Sequence, residues 1–310
     1  MVNLTFLHHV RLGVRDLAES ERFATDFGLV VAARQGGITY MRTAGEQAYS
    51  YVMETSAEPC LKSIAFAVAS PADLERAVAQ FGATPVRTLD GPGGGVAVTL
   101  TDPDGIQFDL VHGVATVPAL PGAATLPVNT GGLKERKGTA QVPQPLAPAQ
   151  LLRLGHVVNF VRNLDACKQW YQDVLGLLPT DVMYGGQPDN RVATFFRLNL
   201  GEQWTDHHTL AIFKKDRTDC HHLSFEMNDM NAQYRAHLWM QKRGWEPIWG
   251  VGRHPLGSHV FDVWRDPNRY RFETYTDTDL LTAATPPAFH DVHGFVMDVW
   301  NDESPEKYFA

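Results

Sequence analysis

The residues best suited to chemistry in this sequence are histidines. There are thirteen of them in 310 residues, against three cysteines, Cys60, Cys167 and Cys220, which lie far apart and form no CxxC pair. Neither a disulfide framework nor a thiolate zinc site is indicated, so any metal is held by nitrogen and oxygen. His156, His222 and Glu273 are the foremost candidates. Two imidazoles and one carboxylate on one face of a metal leave several positions open, which suits Fe(II) that must take both an organic substrate and dioxygen. Zinc fits less well, because a closed structural site uses four ligands and a hydrolytic site keeps a single open position.

An internal repeat says what must position these residues. Residues 7–29, opening Leu7-His8-His9-Val10 and closing Phe27-Gly28-Leu29, recur at 154–177, opening Leu154-Gly155-His156-Val157 and closing Leu175-Gly176-Leu177. Each copy reads as strand, turn, amphipathic helix and glycine stop, with Leu164, Cys167, Trp170, Tyr171, Val174 and Leu175 at helical spacing and most simply core. A second pair follows: Ser63-Ile64-Ala65-Phe66 and a helix over 71–81 match His222-Leu223-Ser224-Phe225 and a helix over 231–243. Both halves close on an Asp-Pro turn and a strand, Asp102-Pro103 to Asp109 against Asp266-Pro267 to Glu273. The counterparts of His156, His222 and Glu273 are thus His9, Ser63 and Asp109. Ser63 stands where the second imidazole would be, so a three-ligand site is expected in the second half alone, with His9 and Asp109 serving packing.

The expected architecture is α+β: two similar domains, each of two βαβββ modules forming an incomplete barrel around a cavity. The first domain covers 1–113, a Pro- and Gly-rich connection 114–150, the second domain 151–278 and a C-terminal tail 279–310. The Gly91–Gly95 run lacks a following Lys-Ser/Thr and reads as a turn rather than a phosphate loop. Twenty-seven basic against thirty-five acidic residues give a net charge of −8, with the cations dispersed, so no nucleic-acid partner is expected. No window reaches the roughly 20 apolar residues of a membrane span, and no leader-like segment opens the chain; a soluble, cytoplasmic protein is expected.

The ordered set Gly155-His156-Val157, His221-His222-Leu223-Ser224-Phe225, Gly252-Arg253-His254, Phe261-Asp262-Val263-Trp264-Arg265-Asp266-Pro267 and Phe272-Glu273, with a proline six residues before the glutamate, resembles the type I extradiol ring-cleavage dioxygenases of the vicinal oxygen chelate superfamily. The resemblance spans nearly the whole chain. It implies the vicinal oxygen chelate fold, a mononuclear Fe(II) centre (occasionally Mn(II)) on His156, His222 and Glu273, a catechol-type substrate and O2, and a homo-oligomer. It implies further that His208, fourteen residues before His222, is the acid/base imidazole and that His254 hydrogen-bonds a substrate hydroxyl oxygen. One position departs from the pattern. Nine residues after His254 the family places a tyrosine whose phenol contacts the substrate, and this chain has Val263, which leaves room in the pocket wall for His259 or a tail residue such as His290. His207 and His221 should face away from their neighbours' side of the strand. Two rivals remain: a 4-hydroxyphenylpyruvate-dioxygenase-like enzyme acting on a 2-keto acid with the same ligand set, and a binding protein that keeps the fold without turnover.

Overall fold

Leu154–Val161, the strand that opens the second half, is buried along its whole length, as a strand covered on both faces must be. The helix after it, Leu164–Asp173, begins at Asn163, whose side chain accepts from the Ala166 N–H. In the first half Asp16 caps Leu17–Phe27 in the same way, and the helix stops at Gly28, where φ is 121°. The helix Pro71–Phe81 is held by a capping box between Ser70 and Asp73, with proline at its first turn. The computed structural model describes residues 1–122, 127–138, 145–301 and 306–309. Parts of the expected connection and tail, residues 123–126, 139–144, 302–305 and 310, lie outside the described residues.

Strand pairing gives the two halves the same mixed sheet. Leu154–Val161 runs parallel to Leu210–Lys214 and antiparallel to Asp219–Glu226, which in turn runs parallel to Arg271–Thr276. In the first half Leu4–Val14 relates to Tyr51–Thr55, Cys60–Val68 and Gln107–His112 in the same senses. Among the described residues the first sheet has eight strands and the second nine. Each half is thus an α+β half-barrel of repeated strand–helix–strand modules, as expected from the repeat. The ninth strand comes from the C-terminal segment: Ala288–Asp291 lies parallel to Leu178–Tyr184 at the sheet edge. The short helix Glu306–Phe309 docks beside Glu246–Arg253, with Lys307 Nζ donating to the Pro247 carbonyl at 2.5 Å. No helix among the described residues is long and apolar enough to cross a membrane.

The halves share one core rather than meeting at a polar seam. Phe23 and Phe27, on the first helix, pack edge-on against Phe272, and Phe27 also meets Phe225. Tyr171 donates to Asp102 Oδ2 at 2.7 Å, and Asn268 reaches Ser20 Oγ at 2.8 Å. Phe272 precedes Glu273, so packing between the halves fixes the strand that carries the carboxylate. Phe27→Ala is expected to destabilise the chain by about 3–5 kcal/mol, the usual loss for a buried phenylalanine. Urea denaturation should show that loss in one transition; separate melting of the two halves would contradict a shared core.

Candidate metal centre

Three neighbouring strands bring the three candidate ligands together. Ser224 lies opposite His156 on one side and opposite Glu273 on the other, so all three side chains share a face, and His222, two residues earlier, shares it too. His156 Nε2 stands 3.1 Å from Glu273 Oε1, and His222 Nε2 stands 3.3 Å from His156 Nε2 and 4.0 Å from that oxygen. Ser224 Oγ donates to Glu273 Oε1 at 2.7 Å, while Oε2 is buried with no hydrogen-bond partner. Gly155 is required here: a Cβ at this position would lie 2.0 Å from the Tyr275 hydroxyl, whose ring packs 5.2 Å from that of His156.

A fourth group competes for the same space. His259 Nε2 is 3.8 Å from Glu273 Oε1, and His156, His259 and Glu273 offer atoms all within 4.8 Å of one another. The far ring nitrogens separate the two contenders. His222 Nδ1 lies 2.7 Å from His221 Nδ1, and His221 Nε2 lies 2.6 Å from the Tyr308 carbonyl. A carbonyl only accepts, so His221 donates through Nε2 and receives at Nδ1 the proton of His222, whose Nε2 is left as a bare lone pair. His259 Nδ1, by contrast, is buried without a partner.

His208 and His254 both line the cavity in front of these groups. The His208 ring lies 4.2 Å from that of His156, and its Nδ1 is 3.0 Å from His207 Nδ1. His254 Nδ1 donates to the Met297 carbonyl at 2.7 Å, so its Nε2 is an acceptor. His207 and His221 are not among the cavity-lining residues, in keeping with their expected orientation, yet each is tied through Nδ1 to the neighbour that is.

The cavity is partly open to solvent and spans about 400 Å³ including its mouth, with apolar walls of Val158, Phe195, Phe213, Leu256, Phe295 and Met297, and among the described residues neither lysine nor arginine lines it. The expectation of a gap at Val263 is corrected. Val263 faces the same side as Glu273 but is wholly buried in a cluster with Ile248, Trp249, Phe261 and Tyr308, and it does not line the cavity. Tyr308, from the C-terminal helix, lies over it and lines the cavity instead, its ring 4.8 Å from Trp249 and 6.1 Å from His222. Neither His259 nor His290 fills that place: His259 stands beside Glu273, and His290 binds Asp181 at 2.6 Å. Sequence reading also missed Phe295 and Met297; the aromatic character of the C-terminal segment was visible, but no spacing tied it to the site. In the first half Asp109 is taken up by Arg87 and Thr99, at 2.7 and 2.5 Å. Among the described residues, three metal-binding groups converge only in the second half.

Burial depresses several of the imidazoles. His8 is pushed down to about 4 and His221 to about 3, His9, His208, His222 and His259 are held well below the usual value, and His254 is lowered. The His222 nitrogen that faces the candidate site is therefore a free lone pair. The unfolded chain takes up protons on these groups once the pH falls below about 6.5, and the folded chain does not. Stability is full above that pH and falls below it, by roughly 1.4 kcal/mol per pH unit for each such group. Urea midpoints of the metal-free chain are expected to drop steeply between about pH 6.5 and 4.5; a flat profile over that range would contradict neutral burial.

The Glyoxalase/Bleomycin resistance protein/Dioxygenase superfamily model matches residues 6–110 and 153–274. Metapyrocatechase 2 of Cupriavidus necator is 30% identical over 307 residues, which is 97% of this chain and 90% of that protein. Among solved structures, the Mn(II)-bound glyoxalase from Novosphingobium aromaticivorans is 21% identical with a TM-score of 0.81, covering 99% of this chain and 94% of that one. The 2,3-dioxygenase LapB from Pseudomonas sp. KL28 is 19% identical with a TM-score of 0.77, covering 95% and 100%. Homoprotocatechuate 2,3-dioxygenase from Brevibacterium fuscum, complexed with 3,4-dihydroxyphenylacetate, is 19% identical with a TM-score of 0.80, covering 99% and 92%. At these identities the solved structures speak to the fold; the matched family model and the curated relative, together with the doubled half-barrel, establish that this chain belongs to the Glyoxalase/Bleomycin resistance protein/Dioxygenase superfamily.

Proposed function

We infer that this chain is an extradiol dioxygenase, which uses a bound metal and O2 to open a catechol-type ring beside its vicinal hydroxyls, giving a ring-opened semialdehyde or keto acid. The observation that carries the reading is the meeting of His156, His222 and Glu273 in a largely apolar cavity, with further imidazoles facing them. The curated relative, a metapyrocatechase, supports the same chemistry.

The residues fit a metal. A carboxylate oxygen buried without a hydrogen bond and two imidazole lone pairs within 3.1–4.0 Å of Glu273 Oε1 and of each other form a donor set that repels itself unless a cation sits between. His156, His222 and Glu273 hold it in our reading. His222 is preferred to His259 because a ligating imidazole normally donates its other N–H, as His222 does to His221 and His259 does not. Nitrogen and carboxylate donors favour Fe(II), with Mn(II) the alternative. When bound, such a metal supplies a chelating Lewis acid for the two substrate oxygens and an electronic path between ring and dioxygen.

The other side chains do the rest. His254, with Nδ1 committed to Met297, presents Nε2 to accept from a substrate hydroxyl. His208 takes a proton at Nε2, because its Nδ1 is occupied by His207. Tyr308 lines the cavity, and in our reading its hydroxyl donates to a substrate oxygen. His259 closes the floor beside Glu273, and the aromatic and aliphatic walls exclude water.

A cavity with no cation in its wall has nothing to pair with an anionic ring substituent. The substrate is therefore a neutral catechol, bare or with an alkyl or aryl substituent. Oxygen uptake and the yellow absorbance of the ring-opened product test the reading. A methylcatechol should be turned over with a kcat/KM on the order of 10² or more above that for 3,4-dihydroxyphenylacetate, since the latter would bury an unpaired carboxylate. Preference for the carboxylated ring would overturn the substrate class; oxygen uptake with a 2-keto acid and none with catechols, or no turnover at all, would favour one of the rivals. Tyr308→Phe should lower kcat/KM for catechol by roughly fivefold to tenfold, the worth of one hydrogen bond.

A further inference from the structure

Behind His208 lies a chain of polar contacts that the reaction as described leaves unused. His208 Nδ1 is 3.0 Å from His207 Nδ1, His207 Nε2 is 2.5 Å from Asp181 Oδ2, and Asp181 Oδ1 is 2.6 Å from His290 Nε2. Asp181 and His207 are buried, and His290 comes from the edge strand Ala288–Asp291, with 28% of its side chain exposed. The four residues belong to three separate stretches of chain. Strand pairing sets Leu210 beside Val157 and Tyr51 beside Val10, so the first-half counterparts of His207 and His208 are Ala48 and Tyr49, which carry no imidazole; the pair His8 and His9, 2.8 Å apart between the Nδ1 atoms, stands instead where Gly155 and His156 do.

Ring chemistry fixes the resting protons. Asp181 as a carboxylate only accepts, so His207 donates through Nε2, receives at Nδ1 the proton of His208, and leaves His208 Nε2 bare toward the cavity. We propose that His207 and Asp181 form a proton reservoir for His208, with His290 clamping the carboxylate. When a substrate hydroxyl gives its proton to His208 Nε2, the Nδ1 proton of His208 crosses to His207 Nδ1. The positive charge then rests on His207 against Asp181, and His208 is again neutral, now carrying its proton on Nε2. It has turned from base to acid without holding charge beside the metal ligands. Reversal returns the proton to the substrate later in the reaction: Nε2 of His208 gives it up while His207 Nδ1 hands its proton back. One proton is borrowed and one returned. In support, hydrogen bonds and charge from His207 and then His290 outweigh burial and hold the Asp181 carboxyl below its usual range. His207 and Asp181 are positioning residues, since of these four only His208 lines the cavity.

The proposal rests on the dioxygenase reading, and its test separates the two. In the iron-loaded enzyme, His207→Gln and Asp181→Asn should lower kcat on the order of 10²-fold, the usual contribution of a positioned acid or base, with KM within about twofold and iron content unchanged. Added imidazole should restore part of the His207→Gln loss in a concentration-dependent way, which a structural defect would not allow. His290→Ala, at the exposed end, should fold normally and lose roughly tenfold in kcat by loosening the carboxylate. ¹⁵N spectra of histidine-labelled, zinc-loaded protein should show His208 protonated at Nδ1 and that preference lost in Asp181→Asn. If wild-type enzyme opens no catechol ring, the functional reading fails and the spectra alone judge the reservoir. It is overturned by unchanged kcat in both buried variants, by losses that imidazole does not touch, or by a His208 tautomer indifferent to Asp181.

Discussion

A carboxylate with one oxygen unpartnered, fully buried among imidazoles, is the constraint on which the rest of this structure turns. Glu273 is out of water, its Oε1 takes one hydrogen bond from Ser224, and its Oε2 takes none. Burying such a group alone costs several kcal/mol or more, so the site makes physical sense as a cation site. Much of the second half follows from that need. The strand carrying Glu273 lies inside the sheet rather than at its edge, its preceding residue is pinned by the shared core, and Gly155 opens the space in which Tyr275 backs His156.

Adjacent histidine pairs are the second organising device. His207–His208 and His221–His222 each place one imidazole in the cavity wall and its chain neighbour outside it, joined through Nδ1. A neighbour's partner then decides what the inner ring does. A backbone carbonyl behind His221 leaves His222 a lone pair for a metal, and a carboxylate behind His207 gives His208 somewhere to send a proton. The pair His8–His9 in the first half has the same contact without either partner, and the Asp109 beside it is neutralised by Arg87. The C-terminal segment ties both devices to the cavity, through the Tyr308 carbonyl on one side and His290 on the other.

The repeat made the fold and the proposed ligand set readable from the chain, because period-two strands and capped helices are local signals and the two copies check each other. The helix read at 71–81 forms as Pro71–Phe81, and His156, His222 and Glu273 meet across adjacent strands. What was not readable depends on contacts between distant segments. Asp181 stands 26 residues before His207, and Tyr308 stands 87 after His221; no periodicity links them. The Val263 reading failed for the same reason: substitution of a small side chain implied a hole, and only the folded tail shows the hole filled by Tyr308. His221 and His207 were assigned their facing correctly but not their work, since an outward-facing ring can still control its neighbour through a shared proton.

The central claim is that one metal binds this chain, on His156, His222 and Glu273. Diffraction from iron-loaded crystals grown without oxygen, measured at the iron absorption edge, tests it most directly. The account predicts a single anomalous peak, bonded to His156 Nε2, His222 Nε2 and the Glu273 carboxylate, with His259 outside bonding distance. A peak ligated by His259 in place of His222, or a second peak beside His9 and Asp109 in the first half, would contradict it.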